Sequence, residues 1–206
     1  MKLYYSPGAC SLAPHIIARE AGVALDLVKV NLVNHRTEDG RDFATVNPKN
    51  YVPAIELEDG ELLTEAAALV QWLAEKAPES GLLPAAGTMA RYRVQEQLNF
   101  IATELHKGFT PLWHKAEVHP SALEQAKAKL QTRFAILESR LERTPYLAGE
   151  TFTVADAYAF TILNWAGMLN VDLQPYPKLR DYIARVGSRP QVQAALQAEG
   201  LLKKAA

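Results

Sequence analysis

The 206-residue sequence predicts an α/β unit followed by an all-α unit. Three observations carry this. Short strand-like runs bounded by turn residues occur only before residue 65, and helical spacing is the only period after residue 88. Between them lies "ESGLLPAAGT" (79–88), a boundary rich in Gly and Pro, so the domains are expected at 1–80 and 87–206.

"KLYY" (2–5) is a short strand, and "DLVKVNL" (26–32) alternates as a half-buried strand does. Between them "LAPHIIAREAG" (12–22) reads as a helix stopped at Gly22. A helical crossover implies that these two strands are parallel. "GRDFATVNP" is a short helical or irregular link. "AIELEDGELLTE" reads as two antiparallel strands joined by Asp59-Gly60, a dipeptide favoured in type I′ turns. "EAAALVQWLAEKAP" (65–78) closes the first half as a helix ending before Pro78. The order is βαβ-ββα. In the second half, 88–116, 122–143, 153–169 and 176–197 carry helical spacing, with a bend expected at Gly108 and Pro111. Thr153-Val154-Ala155-Asp156 matches a capping box, with Phe152 placed for a hydrophobic staple.

Composition narrows the function classes. A hydrophobic share of 49% with 22% charged residues describes a globular chain with material for a core. One cysteine leaves no intrachain disulfide and no cysteine-based zinc cluster. No signal-like opening and no apolar run of about 18 residues is present, so a reduced cytoplasmic setting is expected. A net charge of -1 makes no electrostatic case for nucleic acid or anionic membrane. The charge is uneven: residues 1–86 hold 7 Lys/Arg against 12 Asp/Glu, and the rest hold 15 against 11. That split fits two domains that meet, within a chain or across a dimer, and equally a chance fluctuation of surface charge.

The single thiol lies in "YYSPGACSLAP" (4–14). Proline is tolerated only in the first turn of a helix, so Pro14 puts the helix start near residues 10–12 and Cys10 beside its free amides. Lowering a thiol pKa by two units takes about 2.7 kcal/mol. The helix dipole supplies about 0.3–2 kcal/mol, and a charge-assisted hydrogen bond, from a backbone amide or the Ser11 hydroxyl, about 1.5–3 kcal/mol. The helix end is insufficient alone and sufficient with one good donor. A reactive thiol and a small buried apolar residue are the two readings of Cys10. With Ala13 where a dithiol motif has its second cysteine, redox chemistry here needs an external thiol.

Other residues can complete a site. Val52-Pro53 is a candidate cis bond that would aim the Val52 backbone at a peptide-like ligand, although trans is the commoner state. Glu65 opens a helix whose first amides suit a carboxylate. Asn99, Thr103 and His106 share a helix face, with Lys107 beside it; Phe109 and Trp113 continue as an apolar stripe. Such a polar face is either solvent surface or a site.

Taken together, "YYSPGACSLAPHI", "NP...VPAIEL", "LLTEAAALVQWL", "LNFIATELHKGFTPLW" and "FTVADAYAF" span nearly the whole chain and resemble the bacterial beta-class cytosolic glutathione transferases. The resemblance implies a thioredoxin-like N-terminal domain, an all-helical C-terminal domain carrying the electrophile pocket, and a homodimer with two glutathione sites. It makes Val52-Pro53 cis, with Val52 on the cysteinyl moiety of glutathione and Glu65 and Ala66 on the γ-glutamyl end. Asn99, Thr103 and Glu104 would line the site from the helical half, some across the dimer interface. His106 and Lys107 would face the thiol and glycyl regions, and Cys10 would contact the glutathione sulfur and could form a mixed disulfide with it. Three positions depart from the class: His35 stands where Lys is frequent on the glycyl carboxylate, Ala66 where Gly or Ser is, and Asn50 where Gly is.

The activity implied is conjugation of the glutathione thiolate to a hydrophobic electrophile, with glutathione as co-substrate and no other cofactor or metal. Cys10, Ser11 and His106 are the candidate catalytic residues, His106 as donor or as base. Phe109, Trp113 and Trp165 are the candidate electrophile pocket. Glutaredoxin-like exchange through Cys10 and non-enzymatic carriage of hydrophobic ligands are the rival readings.

Overall fold

A computed structural model describes residues 1–202. The chain divides into two compact units: residues 1–83 with the segment from Ser188 onward, and residues 84–187.

In the first unit, β1 (Lys2–Tyr5) and β2 (Asp26–Asn31) pair in parallel across helix α1 (Leu12–Glu20), with Lys2 opposite Asp26. Gly22, at a left-handed φ of 68°, ends the helix while the Val23 amide reaches back to the Ala18 carbonyl. Residues 36–37 form a short edge strand, β3, antiparallel to β2. Two residues are too few for a periodic signal. Asparagine side chains shape the turn before it: Asn31 Oδ1 accepts from the amides of Val33 and Asn34, and Asn34 Oδ1 from that of Arg36. The link holds a 3₁₀ turn at Phe43–Thr45, capped by Asp42.

Strands β4 (Ala54–Glu56) and β5 (Leu62–Thr64) form the expected hairpin. Its turn is not type I′: only Gly60 has positive φ, and the Leu57 amide donates to the Glu61 carbonyl, giving a three-residue loop with glycine in the left-handed position. The mixed sheet runs β3-β2-β1-β4-β5. Helix α2 (Ala66–Glu75) packs on α1. Leu3, Ile16, Ile55, Leu69 and Leu73 are fully buried, and Tyr4, Val30, Phe43, Val52 and Ala54 make a second cluster.

In the second unit the first long helical stretch takes three registers: α3 (Met89–Phe100), a π-helical segment at Ile101–His106, and α4 (Lys107–Trp113). The irregularity thus falls before Gly108. That glycine serves close packing instead, since a Cβ there would stand 2.9 Å from the buried Leu130 side chain. Helix α5 (Pro120–Leu141) follows, then α6 (Val154–Leu163), α7 (Trp165–Met168) and α8 (Pro177–Gly187). The capping box forms at Thr153 and Asp156. Phe152 stacks edge-on against Tyr146, at 6.0 Å between ring centres.

The helix expected over 176–197 is broken. Arg189 is extended, as the residue before a proline prefers, and α9 (Pro190–Ala198) starts anew with Pro190 at its first position. Helix α9 packs on α1 and belongs to the first unit rather than to the helical one.

Candidate active site

The loop after β1 is built around Ser11. The Ser6 amide donates to Ser11 Oγ at 3.1 Å, and that hydroxyl returns a bond to the Ser6 carbonyl at 3.2 Å. Ser11 is fully buried, so its hydroxyl closes the loop rather than facing a ligand. Cys10 sits two residues before α1, 9% exposed, and its Sγ donates to the Val52 carbonyl at 3.3 Å. The contact is one that a thiol makes and a thiolate cannot. Val52-Pro53 is cis, so the thiol rests on the backbone of the residue that the resemblance assigns to the cysteinyl moiety.

A second group anchors this loop. Glu199, just past α9, has a fully buried side chain that accepts from the Gly8 amide at 2.9 Å and contacts His15 Nδ1 at 2.8 Å. Arg19 Nε donates to His15 Nε2 at 3.0 Å. A ring nitrogen that accepts carries no proton, so His15 is neutral and donates from Nδ1 to the carboxylate. The pair is a hydrogen bond with Arg19 behind it, not a direct ion pair. Neither His15 nor Glu199 stood out in the sequence, where they are 184 positions apart.

At the same end of the sheet, beyond the edge strand β5, Glu65 precedes α2 in a left-handed conformation (φ 72°, ψ 116°) that residues other than glycine rarely adopt. Its side chain does not cap the helix. Instead the carboxylate accepts from Lys49 Nζ at 2.8 Å and from the Tyr51 hydroxyl at 2.5 Å. Those hydrogen bonds are the chief cause that raises both the Lys49 and the Tyr51 pKa. Ala66 is the first residue of α2 and is buried. His35 is also left-handed, at φ 52°, and its buried Nδ1 has no hydrogen-bond partner. Asn50, at φ 56°, adopts the conformation expected where the class has glycine.

In the helical unit the π-segment changes which residues share a face. Each i→i+5 turn takes more residues than an α-turn, so His106 leaves the face of Asn99 and Thr103. Those two are exposed, and the Thr103 hydroxyl donates to the Asn99 carbonyl. His106 is half-buried, with Nδ1 2.7 Å from the Tyr158 hydroxyl and its ring edge-on to Trp165 at 5.0 Å. Glu104 is held by Arg133 of α5, whose hydrogen bonds are the main cause lowering its pKa. Lys107 is exposed. Phe109 is fully buried against Phe134 and Trp165, which makes it core rather than pocket wall. Trp165 is 5% exposed, whereas Trp113, stacked edge-on upon it, is 47% exposed. Of the three aromatics assigned to an electrophile, Trp113 alone presents a broad surface.

Among the described residues no group of three or more His, Cys, Asp or Glu is placed to hold a metal ion, and no helix is long and apolar enough to cross a membrane.

A thioredoxin-like sheet unit bearing a cysteine loop, with a helical unit after it, is the arrangement of one enzyme class. The family model "Glutathione S-transferase, N-terminal domain" matches residues 8–76, and "Glutathione S-transferase, C-terminal domain" matches residues 100–190. The chain belongs to the glutathione S-transferase family, and it is an enzyme of that kind. It is 46% identical to the glutathione S-transferase GstA of Escherichia coli O157:H7, over 98% of this chain and 100% of that one. Among solved structures it is similar to the bacterial beta-class glutathione S-transferase of Sphingomonas chungbukensis (TM-score 0.94, 44% identity, 98% of this chain and 100% of that one). A sphingomonad glutathione S-transferase complexed with glutathione matches at TM-score 0.93 and 44% identity, with the same coverage.

Proposed function

We propose that the first unit binds glutathione along the edge formed by Cys10, Val52-Pro53 and Glu65-Ala66, and that the helical unit receives a hydrophobic electrophile at Trp113 and Trp165. One observation carries this reading: the Cys10 thiol rests on the Val52 carbonyl, beside the cis Val52-Pro53 bond. In the proposal Val52 pairs with the cysteinyl backbone. The γ-glutamyl end meets Glu65 and the first amides of α2, and the glycyl carboxylate meets His35. Lys107, Asn99 and Thr103 are secondary contacts, and Glu104 acts through its pairing with Arg133. Ser11 holds the loop that presents Cys10. The enzyme works as a homodimer in the cytoplasm.

Conjugation needs the glutathione sulfur as thiolate. Donors at the sulfur favour that form, and His106 is the donor from the helical unit. The thiolate attacks the electrophilic carbon, the new C–S bond displaces a leaving group such as halide, and the thiol proton passes to solvent.

Cys10 adds a second chemistry. Its thiolate attacks one sulfur of oxidised glutathione, forming a Cys10–glutathione disulfide and releasing one glutathione thiolate. A further glutathione thiolate then restores Cys10 and regenerates oxidised glutathione. Intact mass after exposure to oxidised glutathione, with an aryl-halide conjugation assay on wild type and Cys10→Ser, tests both parts. We expect a single adduct one glutathione heavier, absent in the variant, and conjugation that survives. No turnover and no adduct in the wild type would leave ligand carriage as the function.

A further inference from the structure

We infer that Tyr158 is a positioning residue that fixes His106 as a neutral Nε2–H donor, and so excludes it as a general base; this rests on the reading above that His106 serves the glutathione sulfur. Both residues lie within the helical unit. His106 Nδ1 and the Tyr158 hydroxyl are 2.7 Å apart. A phenol, with a pKa near 10, is a better proton donor than neutral imidazole, and imidazole, with a pKa near 6.5, is the better acceptor. The neutral pair is therefore O–H···N, with the tyrosine donating. The 2.7 Å separation is that of a well-made hydrogen bond, and the relative acidities of the two groups set its direction.

A neutral imidazole carries one N–H, so an accepting Nδ1 places the proton on Nε2. Tyr158 also meets the His106 ring edge-on at 87°, and Trp165 meets it at 72°, so ring orientation and tautomer are set together. Tyr158 is itself held firmly. It is 3% exposed on α6, two residues after Asp156, whose carboxylate is tied to Leu147, Thr153 and Tyr182. An Nε2–H offers a thiolate a hydrogen bond without a net charge, and it cannot take a proton at that nitrogen.

The test starts from the whole wild-type enzyme labelled with ¹⁵N-histidine. Long-range ¹H–¹⁵N spectra report the tautomer of each histidine, and the His106 signals are assigned by their loss in His106→Phe. We expect His106 as Nε2–H in the wild type. In Tyr158→Phe the tautomers should mix, and kcat for aryl-halide conjugation should fall about tenfold, as losing one hydrogen bond implies. KM for glutathione should stay within about twofold, whereas general loosening of the unit would raise it. An Nδ1–H tautomer in the wild type overturns the assignment whether or not the variant folds. So does a Tyr158→Phe enzyme with unchanged kcat. Unchanged turnover in His106→Phe overturns the part given to His106 itself, and the wild-type tautomer tells that failure from an error about Tyr158.

Discussion

Glu199 ties two segments with one carboxylate: the cysteine loop through the Gly8 amide, and α1 through His15 and, behind it, Arg19. Removing such a carboxylate leaves the buried His15 imidazole without its acceptor and the Gly8 amide without this one, a loss of about 1–3 kcal/mol or more. Glu199→Ala should therefore lower the thermal midpoint sharply, and a loss under about 1 kcal/mol in a denaturant melt would show that water replaces the acceptor. What was legible at this scale divides cleanly. Cys10, Pro53 and Glu65 announced themselves through local grammar: a proline that dates a helix start, an X-Pro before a strand, an acid at a helix entry. Glu199, His15 and Tyr158 have no such grammar, because each matters only through a partner 52 to 191 positions away. Phe109 was misread for the related reason that helical spacing identifies a stripe without saying what covers it.

At the scale of elements, four strands and the parallel crossover were readable from period and turn residues, and the two-residue β3 and the π-segment were not. A change from i→i+4 to i→i+5 bonding leaves the residue types of Ile101–His106 unremarkable, yet it moves His106 off the face of Asn99 and Thr103 and toward Tyr158. The hairpin was readable as a hairpin, but its turn type depended on Asp59 keeping negative φ. Pairing across β1 and β4 makes a prediction of its own. Glu56 lies opposite Lys2 and accepts from Lys2 Nζ at 2.9 Å and the Tyr4 hydroxyl at 2.6 Å. Lys2, then Tyr4, holds the Glu56 carboxyl below the usual carboxylate range. An acid with a lowered folded pKa stabilises fully above its unfolded value, near 4.3, and loses that contribution as pH falls through the folded value. Wild type should thus exceed Glu56→Gln in stability at pH 7, with the difference shrinking below about pH 4. A constant difference from pH 7 to pH 3 in urea melts would assign it to packing instead.

For the whole molecule, the division of labour between a sheet unit and a helical unit was visible in the sequence, but the path of the chain was not. Residues 176–197 read as one helix of the second unit because both pieces carry the same period; the extended Arg189 sends the second piece to the first unit. Because Val192 and Ala195 of α9 are fully buried and Glu199 anchors the cysteine loop, truncation after Gly187 should abolish glutathione binding and the cooperative melt together. Calorimetry of the truncated chain, with and without glutathione, measures both, and an intact ligand-induced rise in Tm would sink the prediction.

That return of the chain bears on how the protein is born. The sheet unit is interrupted by roughly a hundred residues, which a ribosome makes in about 5–20 s at ordinary speeds. For that interval the five strands have emerged while the surface of α1 that α9 covers has no partner. The helical unit, contiguous in sequence, is finished first, and the half that carries the thiol is the last to close.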